Sequence, residues 1–220
     1  MDTLQAYLDT YYFTAARLAD ACSMPLPALA ALVDAGLVPQ PSHVVTADGT
    51  LQSPVFGALP ADGATPGEYH HRGHIGWVAL ARDLQASQGT VRAREALQAR
   101  FITEFATAVA EFDPRERGCV ATAAWDNFIR GVYGVCVADP SRIDNIARKE
   151  RLQAALADIT GNGTRTDFTP GAAAQLLEMI GAYAAVAMPF APPEYPHSSR
   201  KRLVDDLRAT LEPHPCASPA

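Results

Sequence analysis

Positive charge is scarce in this sequence: 18 Lys and Arg stand against 24 Asp and Glu, a formal net charge of −6. Nucleic acid and anionic membrane surfaces draw proteins through a positive field, so the bulk electrostatics argue against both as partners. Paired cysteines are missing too. Cys22, Cys119, Cys136 and Cys216 are scattered without a Cys-x-x-Cys pair, which speaks against a zinc ribbon and a disulfide scaffold and predicts reduced thiols. No run of about 18 apolar residues and no charged, apolar leader after Met1 can be found. The expectation is a cytoplasmic protein without a membrane segment. A Gly-rich phosphate loop, a Gly-x-Ser-x-Gly elbow and a dinucleotide fingerprint are likewise absent, which removes those enzyme superfamilies. No residue stands out as catalytic and no cofactor is implied.

What is present is an apolar fraction of 48% over 220 residues, enough for a substantial core. The first 40 residues read as three short helices. Leu4, Tyr7, Leu8 and Tyr11 share a face, Thr14 is placed to cap a second helix from Ala15, and Leu26, Leu29, Leu32 and Val33 give a third that stops at Gly36. Asp48-Gly49 between two short extended runs is a hairpin signal of the kind a wing needs. Residues 57–68 are rich in Gly and Pro and read as a linker. Beyond them the 3.6-residue periodicity predicts helices over 75–85, 90–112, 121–136, 140–159, 170–188 and 199–211, with a disordered tail at 213–220. The predicted fold is all-α: a helix-turn-helix module of winged-helix type (1–56), the linker, then a helical bundle (69–212), with one small β-hairpin.

A helix-turn-helix invites a regulator, but its chemistry disagrees. Up to Gln40 there are four acidic residues and one basic residue, Arg17, and the presumed recognition helix offers no Arg, Lys, Asn or Gln to base edges. DNA is not the expected partner.

His70-His71-Arg72-Gly73-His74 is the densest group of metal-ligand types, and on a helix His70 and His74 have the i, i+4 spacing that zinc sites use. Against a metal stand the His at position 71, where a metalloprotease has its Glu, and Gly73, which disfavours a helix; the competing reading is a solvated junction. Gly131 and Gly134 thin an aromatic-rich helix at about 2 kcal/mol relative to alanine, which implies either close packing of a neighbouring helix or a ligand against the backbone. Ser198-Ser199-Arg200-Lys201-Arg202 puts three cations in the first turn of the last helix, where the macrodipole disfavours them. Either Asp205 and Asp206 compensate locally, or hydroxyls, amides and guanidinium converge on an anion.

Several blocks together resemble a known family: Tyr12-Phe13-Thr14, Gly36 through Ser42, Asp48-Gly49-Thr50, Gly131 through Cys136, Ile146 with Lys149-Glu150, and Ser199 through Arg202. They are similar to a bacterial family labelled natural product biosynthesis protein, for which no reaction is established. The resemblance implies a place in a specialised-metabolite pathway. The expected function is to bind a small anionic intermediate such as an amino acid derivative, with its transformation by the same protein left open. Tyr133, Cys136, Lys149, Ser198, Ser199, Arg200 and Arg202 are the nominated binding residues; His70 and His74 are the nominated metal ligands. The alternatives are a transcriptional regulator and a non-catalytic accessory protein that forms a homodimer or docks on a pathway enzyme.

Overall fold

The computed structural model describes residues 3–112, 120–165 and 167–211. The expected tail at 213–220, with Cys119 and Cys216, lies outside the described residues.

Helix α1 (Leu4–Tyr11) is capped by Thr3, whose hydroxyl accepts from Ala6 N at 3.2 Å, and runs straight into strand β1 (Tyr12–Thr14). Thr14 caps α2 (Ala15–Ala21) as its position predicts, accepting from Arg17 N at 3.3 Å. The axis turns by 105° into α3 (Leu26–Asp34). Strands β2 (His43–Val45) and β3 (Thr50–Ser53) close on the Asp48-Gly49 turn, where Gly49 sits at φ +80°, and β4 (Gly57–Pro60) and β5 (Gly67–His71) follow.

These strands overturn the all-α expectation. They form one antiparallel five-stranded sheet in the order β1-β5-β2-β3-β4, so the fold is mixed, and the hairpin is only its middle. The physical reason is length. Strands of three to five residues are too short to display a period of two, and β1 pairs with a strand more than fifty residues away. The segment expected to be a linker carries β4 and the first residues of β5. Its Pro60 is tolerated because β4 is an edge strand.

After a 3-10 turn (Arg72–His74) the chain is helical: α4 (Ile75–Gln88), α5 (Thr90–Ala110), α6 (Val120–Ile129), α7 (Val132–Cys136), α8 (Ile143–Ile159) and α9 (Pro170–Val186). A second 3-10 turn (Tyr195–His197) leads to the last helix, π-helical over Lys201–Asp206 and α-helical as α10 (Leu207–Leu211). Two boundaries differ from expectation. Asp139 and Pro140 do not open α8; the Asp139 carboxylate instead accepts from Ser141 N at 3.1 Å in a turn ahead of it. The helix expected over 121–136 breaks at Gly131, which adopts φ +79°. A Cβ there would stand 2.6 Å from Gln40 O and 2.9 Å from Pro41 O, and a Cβ at Gly134 would collide with Ser42 Oγ. What approaches these glycines is therefore the loop before β2, not a helix.

Three apolar clusters hold the fold. The largest joins Leu18, Leu29 and Leu37 to Trp77, Phe101, Trp125 and Phe128, so α2 and α3 share a core with the bundle, and Trp77 Nε1 donates to Leu37 O at 2.8 Å. A second lies against the sheet: Leu4, Leu8, Tyr12, Val45, Leu51 and Tyr69 with Met188 and Ala191. The third binds α8, α9 and the last helix through Leu156, Ile180, Leu203 and Leu207. The strap after α9 is stitched to the end of α7 by a Val137–Ala187 bridge and by Met188 N donating to Cys136 O at 3.2 Å. Among the described residues no single helix is long and apolar enough to cross a membrane.

Candidate functional site

Strand register decides what meets α7. Tyr12 pairs with His71 and His43 with Tyr69, which puts all four on one sheet face; Phe13 and His70 alternate to the other. On the first face Tyr12 stands edge-on to both His43 (4.8 Å between ring centroids) and His71 (5.6 Å). Its phenol donates to Gly134 O at 3.0 Å and lies 3.3 Å from the Tyr7 phenol. His43 Nε2 faces both oxygens of the fully buried Glu194 carboxylate at 3.1 and 3.0 Å, which makes Nε2 the protonated nitrogen. His71 Nδ1 accepts from Gly73 N at 3.0 Å, so its proton sits on Nε2.

Ser42 Oγ, His43 Nδ1 and His71 Nε2 remain buried without a hydrogen-bond partner. Each such group costs about 1–3 kcal/mol against a satisfied one, so each calls for an explanation, an ordered water or ion or a functional role among them. Burial pushes His71 down to about 4, the nearby Asp139 offsetting only part of that, so the ring is neutral at physiological pH. Burial likewise raises the Tyr7 and Tyr12 phenols, which stay protonated.

The other side of α7 gathers several of the nominated residues. Tyr133 and Cys136 are both buried in the helix, and burial raises the pKa of each. Lys149 is 5% exposed, not solvated. Its ammonium is hydrogen-bonded to the Cys136 thiol and lies 3.6 Å from a Glu150 carboxylate oxygen. Burial alone disfavours that charge, but the Cys136, Glu150 and Tyr183 groups around it outweigh burial and raise its pKa. Ser199 Oγ completes the group, 2.7 Å from the Tyr183 phenol.

The remaining nominees are engaged elsewhere. Arg200 Nη1 donates to Ala184 O at 3.0 Å and Ala187 O at 2.9 Å, capping the end of α9. Ser198 Oγ donates to Tyr195 O and accepts from Lys201 N. Arg202 Nε donates to Asn162 Oδ1 at 3.1 Å in the α8–α9 loop, and Lys201 pairs with Asp206.

The histidines after β4 are not solvated. His70, His71 and His74 are all buried, because His70 and His71 fill opposite faces of an inner strand and His74 packs 6.1 Å edge-on to Phe128. Burial lowers His70 to about 4 and His74 further. Among the described residues no group of three or more His, Cys, Asp and Glu is arranged to hold a metal ion.

A cavity of about 510 Å³ adjoins this polar layer. Tyr7, Thr10 and Tyr11 of α1 form one wall; Pro189, Phe190, Pro192, Tyr195 and Pro196 of the strap form the other. Tyr7 belongs both to the cavity and to the Tyr12–Gly134 hydrogen-bond chain. Phe190 holds φ +66°, an uncommon conformation for a side chain of its size, and packs edge-on to Phe56 at 5.7 Å.

Sequence reasoning passed over Tyr7, Tyr12, Ser42, His43, His71 and Glu194 as site residues. Only the glycine pair pointed at them, since Gly134 marks where Ser42 and His71 approach. Comparison with known proteins finds no similar curated protein and no similar solved structure. One family model matches, over residues 90–212, from the start of α5 through the last helix, a span that includes α7, Lys149, Tyr183 and the strap. Since that match covers more than half of the chain, the protein belongs to the family of unknown function DUF6058.

Proposed function

We propose that this protein binds a small molecule of a specialised-metabolite pathway, and that the cavity between α1 and the strap is the binding site. The observation that carries the reading is the position of Tyr7: it forms the cavity wall and its phenol bonds to that of Tyr12, whose ring stands edge-on to His43 and His71 of the buried layer. A mostly apolar pocket backed by a few convergent polar groups is the usual form of a ligand site. The pathway context rests on the resemblance of the blocks around Tyr12, Ser42, Gly134 and Arg200 to natural product biosynthesis proteins. The anion expected at the last helix finds the Arg200 and Arg202 guanidinium groups already bonded within the protein, which favours the cavity over the helix start as the ligand's seat.

One observation favours a second reading. The 105° turn between α2 and α3 falls in the range of helix-turn-helix pairs. The exposed residues of α3, among them Leu26, Pro27, Ala30 and Asp34, include no cation, so this surface suits docking to a protein better than to DNA.

The test is a thermal-shift screen of amino acids, acyl-amino acids and amines on the full chain, followed by titration of each hit on Thr10→Trp, which plugs the cavity from an exposed helix position, and on Arg200→Ala. The cavity reading expects affinity to vanish in Thr10→Trp and to survive in Arg200→Ala; the reverse pattern moves the site to the last helix.

A further inference from the structure

We propose that the cavity takes an aromatic amine, an apolar ring bearing a neutral or protonated amino group, and rejects carboxylates; this rests on the reading of the cavity as a binding site. The argument follows hydroxyl hydrogens. Tyr12 has one, and gives it to Gly134 O at 3.0 Å, so the bond between the two phenols is donated by Tyr7. Thr10 gives its hydrogen to Ala6 O at 2.7 Å, and Tyr195 gives its hydrogen to Asp205 Oδ2 at 2.7 Å. Three of the four hydroxyl groups in the wall, those of Tyr7, Thr10 and Tyr195, therefore spend their hydrogens on protein acceptors and keep only lone pairs to offer a ligand.

A carboxylate needs donors and, among these side chains, finds at most the Tyr11 phenol. An amine needs acceptors and finds several. The wall holds no Lys or Arg, and Asp205 stands behind Tyr195. Tyr7, Tyr11, Phe190 and Tyr195 line the cavity with aromatic rings, whose faces attract a cation and resist an anion. Pro189, Pro192 and Pro196 keep this wall stiff, so its donor-poor pattern is not readily rearranged around a ligand of the wrong sign.

The experiment is calorimetric titration of the full chain with 2-phenylethylamine, 2-phenylethanol and phenylacetate, which share a ring and a chain length and differ in the head group, repeated on Thr10→Trp and Tyr7→Phe. The amine is expected to bind at least about tenfold more tightly than phenylacetate, with the alcohol between them. Thr10→Trp should abolish binding, and Tyr7→Phe, which keeps the ring and removes one acceptor, should narrow the gap between amine and carboxylate. Phenylacetate binding as tightly as the amine, and lost in Thr10→Trp, overturns the amine preference and leaves the cavity standing. No binding by any of the three at millimolar concentration, or binding indifferent to Thr10→Trp, overturns both.

Discussion

On one side of α7 and on the other, the same chain builds two different interiors. In the bundle, Phe101, Phe105, Trp125 and Phe128 pack on one another, with Phe101 and Phe128 centroids 4.9 Å apart, and the cluster is carried mainly by apolar area. Against the sheet, Ser42, His43, His71 and Glu194 are just as buried but polar, and three of their atoms lack partners. An apolar layer of the same volume would close the fold more cheaply. Local rules broken inside an otherwise consistent fold are where function is to be sought; of the described residues, His70 Nδ1 and His74 Nδ1 are orphaned outside this layer, and the other three such atoms fall together on the Tyr12 face of the sheet.

The largest expected effect uses acid to separate the two interiors. His70, His71 and His74 have folded pKa values depressed below the unfolded value near 6.5. Their contribution is full above pH 6.5 and is lost as pH falls toward about 4, because the unfolded chain takes up the protons. Each histidine should remove about 1.4 kcal/mol per pH unit in that window. Urea midpoints between pH 7 and 5 should fall steeply, and amide exchange should show β5 and the turn after it losing protection before α5, with α6, where Phe128 meets His74, between them. Uniform loss across the molecule, or a flat stability between pH 7 and 5, would break the distinction.

Next in size is the seam. Gly131→Ala puts a side chain at φ +79° and 2.6 Å from a backbone carbonyl that cannot rotate away, so it should destabilise by on the order of 3–5 kcal/mol. That equals what Phe101→Ala should do by leaving a cavity in the bundle. A glycine worth as much as a buried phenylalanine would show that the approach of residues 40–42 to α7 is a structural requirement; a change under about 1 kcal/mol in urea unfolding would show that it is not.

These two positions also show what the sequence could and could not tell. The bundle was legible because Leu97, Phe101, Phe105 and Val109 repeat over many turns of α5 and face inward as that spacing requires, whereas Phe112, expected on the same face, lies past the end of α5 and is exposed. Thr14 and Thr169 both cap the helices they precede. The sheet was not legible, because β1 and β2 hold three residues each and find their order only through β5, which arrives after the Gly-rich stretch. The site inherits that opacity. His43 and Glu194 lie 151 residues apart, and nothing in either neighbourhood announces the other. Cys136, Lys149 and Ser199 were legible as residue types, but their grouping depends on the α8–α9 packing that no local pattern encodes.

A smaller effect tests how the two interiors are fastened. Arg200 caps α9 through Ala184 O and Ala187 O, and Ala187 is the residue that bridges to Val137. Arg200→Met keeps much of the stem and removes two charge-assisted hydrogen bonds, an expected loss of about 2 kcal/mol. A loss within error would mean that the strap holds its place without the clamp.

The smallest expected effect is that of Lys149→Met, and it decides which interior that residue belongs to. Its aliphatic stem is buried against α7, and its ammonium has the Cys136 thiol and the Glu150 carboxylate beside it. Two opposed terms act when methionine replaces it. The charge no longer has to be held away from water, which favours the variant, and the pairing with a carboxylate that is 39% exposed is lost, which disfavours it. Because Glu150 can turn to solvent, its loss of a partner is mild, and Lys149→Met should lie within about 1 kcal/mol of the parent protein. Lys149→Ala, which also empties the volume of the stem, should lose about 2–3 kcal/mol. If both variants fall in that order by urea unfolding, Lys149 is held in place by its stem and behaves as a bundle residue that happens to carry a charge. If methionine instead destabilises as much as alanine, the charge itself holds α7, and the polar character seen against the sheet extends through the helix to its other side.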